Sequence, residues 1–198
     1  QFSLSLAAAR VQKTDRALPA VPLVAETRFA LGQRLLDVDL STRLADAPWH
    51  ARHSGSVADR AGALTADGEL TPAMLEHVRL FLPEKARPIL ELTDPLSLAL
   101  SAELSPGAKP ARVVARASAG RAVAGHVSFD RAGALLVYEP GARLFRADEL
   151  VLVQKDSLAA GSYVMDTESL AYRFLLDGPF RPASISGWFS GWWDRFWE

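Results

Sequence analysis

The chain has 198 residues, 49% of them apolar, with 22 basic and 23 acidic side chains well mixed and no cysteine. The balanced charge offers no basic face for nucleic acid, and the lack of Cys removes disulfides, thiolate catalysis and Cys-bound zinc or iron–sulfur centres. The length allows one large domain or two small ones with a substantial core.

The opening QFSLSLAAARVQKTD carries no signal-peptide pattern. No stretch reaches the roughly 18 to 20 continuous apolar residues that a bilayer-spanning helix needs. From there the apolar residues recur at every second position, the signature of half-buried strands. VAETRFAL is a candidate strand, and in LLDVDLS the residues Leu36, Val38 and Leu40 oppose Asp37, Asp39 and Ser41. Asp37 and Asp39 are read as the wet side of that strand. WHARH places His50 and His53 three apart, the only ligand-like spacing among the four His. A metal there would need Asp46 or Asp59 as well, so the segment is read as a solvated loop and no metal site is expected.

The clearest strand is PLSLALSAEL, with Leu96, Leu98, Leu100, Ala102 and Leu104 on one face and Ser97, Ala99, Ser101 and Glu103 on the other. RVVARAS follows, then RAVAGHVSF, read as one strand with Val123, Val127 and Phe129 on one face. ALLVYEP, ELVLVQK, AGSYVMD and LAYRFLLD complete the series, the last aligning Leu170, Tyr172, Phe174 and Leu176. Short Gly-, Asp- or Pro-containing turns separate them. About ten strands in meander order predict a mainly β, antiparallel sheet with one apolar face.

Two segments interrupt this rhythm and match at a spacing of 110 residues. Asp67, Gly68, Pro72 and Ala73 correspond to Asp177, Gly178, Pro182 and Ala183, followed by Leu75 with Ile185, Val78 with Trp188 and Leu82 with Trp192. Each copy is read as the Asp-Gly end of a strand followed by a helix with Pro in its first turn, and Thr71 is a natural N-cap for the first. Short helices are expected at about 72–82 and 185–197. The chain then divides into two β-repeat units, 1–88 and 89–198, each closed by a helix and joined in one continuous sheet. Projected as a helix, the second copy puts Trp188, Phe189, Trp192, Trp193, Phe196 and Trp197 on one half of its circumference, a face for a membrane interface, for a partner or for the protein's own sheet.

The meander, the single apolar face and the Asp-Gly–Pro–helix closures resemble the AsmA-like proteins of bacterial envelopes, of the YhdP and TamB type. The resemblance is greatest in AGHVSFDRAGALLVYEPGARLFRADELVLVQKDSLAAGSY and LLDGPFRPASISGWFSGWWDRFW. It implies a curved, groove-like sheet with an apolar concave face, along which phospholipid passes between inner and outer membranes. It also implies a periplasmic location, with an inner-membrane anchor in a segment outside this chain. Under that reading Leu96, Leu98, Leu100, Val123, Val127, Phe129, Tyr172, Phe174 and Leu176 line the groove. The partners are phospholipid acyl chains, together with a membrane surface or envelope proteins, and no nucleic acid. The family supplies no catalytic signature, and the sequence itself has no GxSxG elbow, Walker loop, HExxH or GxGxxG, so neither catalysis nor a cofactor is expected. The rival reading is an immunoglobulin-like β-sandwich of binding or structural type, suggested by GHVSFDRAGALLVYEPGARL.

Overall fold

The computed structural model describes residues 2–11, 21–31, 35–44, 47–81, 90–124 and 127–188. Its strands are β1 (Phe2–Val11), β2 (Val21–Leu31), β3 (Leu35–Leu44), β4 (Ala47–Ser56), β5 (Gly62–Leu70), β6 (Leu90–Leu92), β7 (Leu96–Ser105), β8 (Lys109–Ala119), β9 (Ala122–Ala124), β10 (Val127–Phe129), β11 (Arg131–Glu139), β12 (Leu144–Gln154), β13 (Ser157–Asp166) and β14 (Tyr172–Asp177). One helix, α1, spans Pro72–Phe81, and 3-10 helices span Pro140–Ala142 and Pro182–Trp188.

Eleven strands form a single antiparallel sheet in the order β1-β2-β3-β4-β5-β7-β8-β11-β12-β13-β14, open at both edges. The chain therefore meanders, and among the described residues two inserts interrupt the strand order. Between β5 and β7 it inserts α1 and β6, and between β8 and β11 it inserts the β9–β10 hairpin. The inserted strands pair as a second, three-stranded sheet, β10-β9-β6. The two sequence units meet in the main sheet through β5 and β7, from Gly62 opposite Leu104 to Leu70 opposite Leu96. Greek-key connections and a second full sheet, which a sandwich requires, are not found among the described residues.

Register carries one apolar face across the strands. Leu98 lies opposite Gly68 on β5 and Ala117 on β8, while Leu100 lies opposite Ala66 and Ala115. From β8 the same face continues through Ala134 and Leu136 on β11 to Phe145 and Ala147 on β12, Tyr163 on β13 and Phe174 on β14. Toward β3 it runs through Ala51 and Leu40. β12 carries one residue more than its neighbours between Ala147 and Leu150, where Glu149 takes a left-handed φ of 50°. This bulge returns Leu150 and Leu152 to the apolar face after an odd-to-even change of phase.

The β9–β10 hairpin and the closing 3-10 helix fold back over that face, and α1 packs beside β6. Thr71 caps α1, its Oγ1 accepting from the Met74 amide at 3.3 Å, and the helix buries Met74 and Leu75. The 3-10 helix Pro182–Trp188 buries Ile185, the residue that the sequence match sets against Leu75. Ile185 joins Val127 and Phe129 of β10 over Leu152 and Ala159 in one compact cluster. The inserts are tied together at Asp94. Its Oδ2 accepts from the Arg121 amide at 2.8 Å and from Arg121 Nε at 3.1 Å, its Oδ1 accepts from Nη2 at 3.0 Å, and the Thr93 amide donates to the Arg121 carbonyl at 2.9 Å. Gly120 is required here, because a Cβ would stand 2.6 Å from Asp94 Oδ2.

Carboxylates also shape the hairpin turns. Asp59 accepts from the Ala61 amide, and Asp166 accepts from the Glu168 and Ser169 amides. These backbone bonds hold both carboxyls below the ordinary range, as the Arg121 side chain does for Asp94.

Four sequence expectations change. RAVAGHVSF is not one strand: β9 and β10 pair with each other, Ala124 opposite Val127 and Ser128 opposite Val123. Val123 thus lies on the face away from Val127 and Phe129, because reversing the chain reorders which residues share a side. WHARH is no loop but the centre of β4, where a separation of three along a strand puts His50 and His53 on opposite faces. Asp67-Gly68 lies inside β5, which runs on to Leu70, whereas Asp177 does end β14. Finally, the second closure is a 3-10 helix ending at Trp188, and Phe189, Trp192, Trp193, Phe196 and Trp197 lie outside the described residues.

Two predictions follow from this packing. A methyl group added at Gly161 would collide with the Leu175 carbonyl oxygen on β14. Gly161→Ala should therefore force the edge strand outward and cost about 2 kcal/mol, read as a lowered urea midpoint. The carboxyls of Asp59, Asp94 and Asp166 are depressed, so their stabilisation is complete above the unfolded value of about 4 and is lost as pH falls through the lower folded value. Asp94→Asn should lower the melting temperature at pH 7 and flatten its decline as the pH falls below about 4.

Candidate functional site

The apolar face of the main sheet is the site the fold builds. A large side chain on it is buried where Val127, Phe129 and Ile185 of the hairpin and the 3-10 helix cover Leu152, and Met74 and Leu75 of α1 are buried as well. Across the intervening strands the buried residues of this face are alanines, Ala102, Ala115 and Ala147, while Leu96, Leu98, Leu100 and Leu136 remain half-buried. No large side chain is fully buried among the described residues. A sheet this wide that leaves its leucines partly in contact with water has a surface to offer rather than a closed interior.

At the β14 edge the face becomes aromatic. Tyr163 touches Phe145, Tyr172 and Phe174 with ring centroids 6.2, 5.9 and 6.2 Å apart. Trp188 continues the row, 5.5 Å from Phe174 and 5.5 Å from Phe129, and its indole N–H donates to the Ala124 carbonyl at 2.6 Å. Tyr163, Tyr172, Phe174 and Trp188 line an open hollow of about 300 Å3. Burial against these rings raises the Tyr163 phenol above its ordinary value, so it is a neutral hydroxyl at physiological pH. With no formal charge in the lining residues, the hollow suits apolar or aromatic matter.

The opposite face is polar over β3–β8. A larger hollow of about 770 Å3 lies there, bordered by Ser41, Arg43, His50, Asp67, Glu69 and Arg116 among others. His50 sits between two carboxylates, 3.0 Å from Asp39 and 3.7 Å from Asp67, and Arg116 crosses β11 to Glu149 at 3.0 Å. Among the described residues no group of three or more His, Asp or Glu is arranged to hold a metal ion.

The groove residues read from the sequence separate into three places. Leu96, Leu98 and Leu100 on β7 share the open apolar face with Tyr172 and Phe174 on β14, whereas Leu176 lies on that face but packs against the covered cluster. Val127 and Phe129 belong to the buried cluster and form part of the cover over the face. Val123 lies on the other side of the small sheet. Of the aromatic helix face, Trp188 is placed and packs on the sheet, and the five later aromatics lie outside the described residues.

Sequence reasoning missed Leu136, Phe145, Tyr163 and Trp49. The first three sit in strands it recognised, but without pairing the phase of ALLVYEP and the bulged β12 could not be assigned to a face. Trp49 lies half-buried over Gly68, whose missing side chain makes room for the indole, and donates its N–H to the Glu69 carbonyl at 3.0 Å. Its cue was the Trp in WHARH, set aside there as a loop. Comparison with family models, curated proteins and solved structures gives no match.

Trp188 joins the closing helix to the aromatic row, which gives a stability prediction. Trp188→Ala should cost about 2 to 3 kcal/mol, below the range for a fully buried Trp. Trp188→Phe should keep the ring contacts and lose only the hydrogen bond to Ala124, about 1 kcal/mol. Chemical denaturation of the two variants distinguishes these outcomes.

Proposed function

We infer that the chain is a lipid-conducting segment of an AsmA-like envelope protein, passing phospholipid acyl chains along the apolar face of its sheet between inner and outer membranes. One observation supports this most: an open eleven-stranded sheet carries an apolar face on which Leu96, Leu98, Leu100 and Leu136 stay half-buried, while the β9–β10 hairpin and the 3-10 helix cover it beside β12 and β13. Eleven strands at roughly 4.8 Å spacing span about 50 Å, part of the width of a periplasm. A 16-carbon chain in water costs about 13 kcal/mol at roughly 0.8 kcal/mol per CH₂, so an apolar track lowers the barrier to moving it. Leucine and alanine suffice for this, because the acyl chain needs no directional partner. The phosphate headgroup stays hydrated at the open side. The periplasmic setting and an anchor in another segment are part of the same proposal and come from the resemblance.

The reading is tested by native mass spectrometry of the purified chain after gentle detergent exchange. The parent should retain phospholipid. Leu98→Asp and Phe174→Asp, which place a carboxylate on the open face, should lose it while keeping the parent's circular dichroism. A folded parent that arrives lipid-free and takes up no dipalmitoyl phospholipid from vesicles would overturn the proposal.

A further inference from the structure

The two edges of the main sheet are unequal. β1 is irregular, its register with β2 shifting between Leu6 and Ala9. β14 pairs with β13 without any shift from Asp177 to Tyr172, and its sequence YRFLLD contains no Pro, no Lys and no bulge. Proline, lysine and bulges are devices by which edge strands avoid pairing; β14 has none of these, and its two charges, Arg173 and Asp177, are of opposite sign. Its side chains are also among the most exposed large apolar groups of the described residues, Tyr172 at 66% and Leu175 at 57%. They lie on opposite faces of the sheet, so no cover on one face alone could shield both. One further strand alongside would reach both.

We propose that β14 is a homodimerisation edge, pairing antiparallel with β14 of a second copy about a two-fold axis through Leu175. The strand's own sequence is complementary to itself in this register. With Leu175 opposite Leu175 of the second copy, Arg173 lies opposite Asp177 and Asp177 opposite Arg173, giving two ion pairs on the polar side. Phe174 lies opposite Leu176 twice on the apolar side. Opposed residues of an antiparallel pair share a face, so from Arg173 to Asp177 every contact joins like with like or cation with anion, while Tyr172 falls opposite Gly178 beyond the strand end.

The backbone agrees. The Leu175 carbonyl points at β13, where a Cβ on Gly161 would meet it. By the alternation of antiparallel ladders, Phe174 and Leu176 then direct their N–H and C=O groups to the free edge, ready to exchange hydrogen bonds across the axis. The product is one sheet of twice the width whose apolar faces run together, and the pairing stands whether or not that face carries lipid. A six-residue edge makes a small interface, so the dimer forms reversibly rather than as an obligate unit.

Sedimentation velocity of the 198-residue chain, over concentrations from about 5 to 500 µM, tests this. The parent should convert from monomer to dimer and stop there. Arg173→Asp opposes carboxylate to carboxylate at both ion pairs and should raise the dimer dissociation constant at least about tenfold. Arg173→Asp combined with Asp177→Arg should restore the parent value. Leu175→Lys, which brings two ammonium groups together on the axis, should abolish the dimer and serves if either charge variant proves misfolded by circular dichroism. A parent that stays monomeric throughout, a dimer indifferent to Arg173→Asp and Leu175→Lys, or open-ended oligomers that engage β1 would each overturn the proposal.

Discussion

Every feature of this protein depends on keeping strand register over eleven strands, because a slip of one residue at any pairing would turn the apolar set of that strand toward the polar side. The face that begins near Leu36 and Leu40 reaches Phe174 only because each antiparallel ladder passes the phase on. β12 shows how strictly this holds. Up to Ala147 its odd-numbered residues face the apolar side, and beyond Glu149 its even-numbered ones do. The left-handed turn of the backbone at Glu149 absorbs the extra residue and keeps Leu150 and Leu152 beside Gly161 and Ala159.

The same phase change has an effect on the far face. Val151 and Val153 fall on the side where β3 to β8 present Asp39, His50 and Arg116, and with Leu135 and Val137 they make the second half of the sheet less polar on its outer side. Arg116 reaching over β11 to Glu149 marks the border between the two regions. The β9–β10 hairpin and the 3-10 helix work from the other direction, closing part of the apolar face. Where they lie above the strands, bulky side chains become buried. Where neither does, the strands bury alanine and leave leucine partly in water.

Much of this was legible in the sequence, and the failures have physical causes. PLSLALSAEL alternates without interruption and YRFLLD does so from Tyr172, so their strand character and apolar face could be read directly, whereas Leu170, aligned with them by period alone, lies in the preceding turn with a left-handed φ of 59°. Thr71 and Pro72 announced α1 because capping and proline act within one turn of chain. RAVAGHVSF misled because period two looks the same whether a strand continues or folds back, and only pairing partners reveal the hairpin. β4 was hidden for a different reason. Its inward positions are Trp49, Ala51, His53 and Gly55, a series with too little hydrophobic contrast to register as alternation, and its strand character comes from the neighbours on both sides. The site shared that limit: Leu98 and Phe174 were visible, but the row formed by Tyr163, Phe145 and Trp188 required knowing which strands become adjacent.

The meandering order has a consequence for how such a chain can change in length. Apart from the two inserts, each strand rests on the strand before it and the strand after it in sequence, and the buried cluster of the described residues is confined to β10, β12, β13 and the 3-10 helix. Stability therefore accumulates locally, by adjacent pairs, in the manner of solenoid and repeat proteins. Whole hairpins can be added or removed without repacking the remainder, provided they come in even numbers of strands and keep the phase of the apolar side. The architecture can be extended by duplication alone, and the matching segments 110 residues apart are what one such duplication would leave behind.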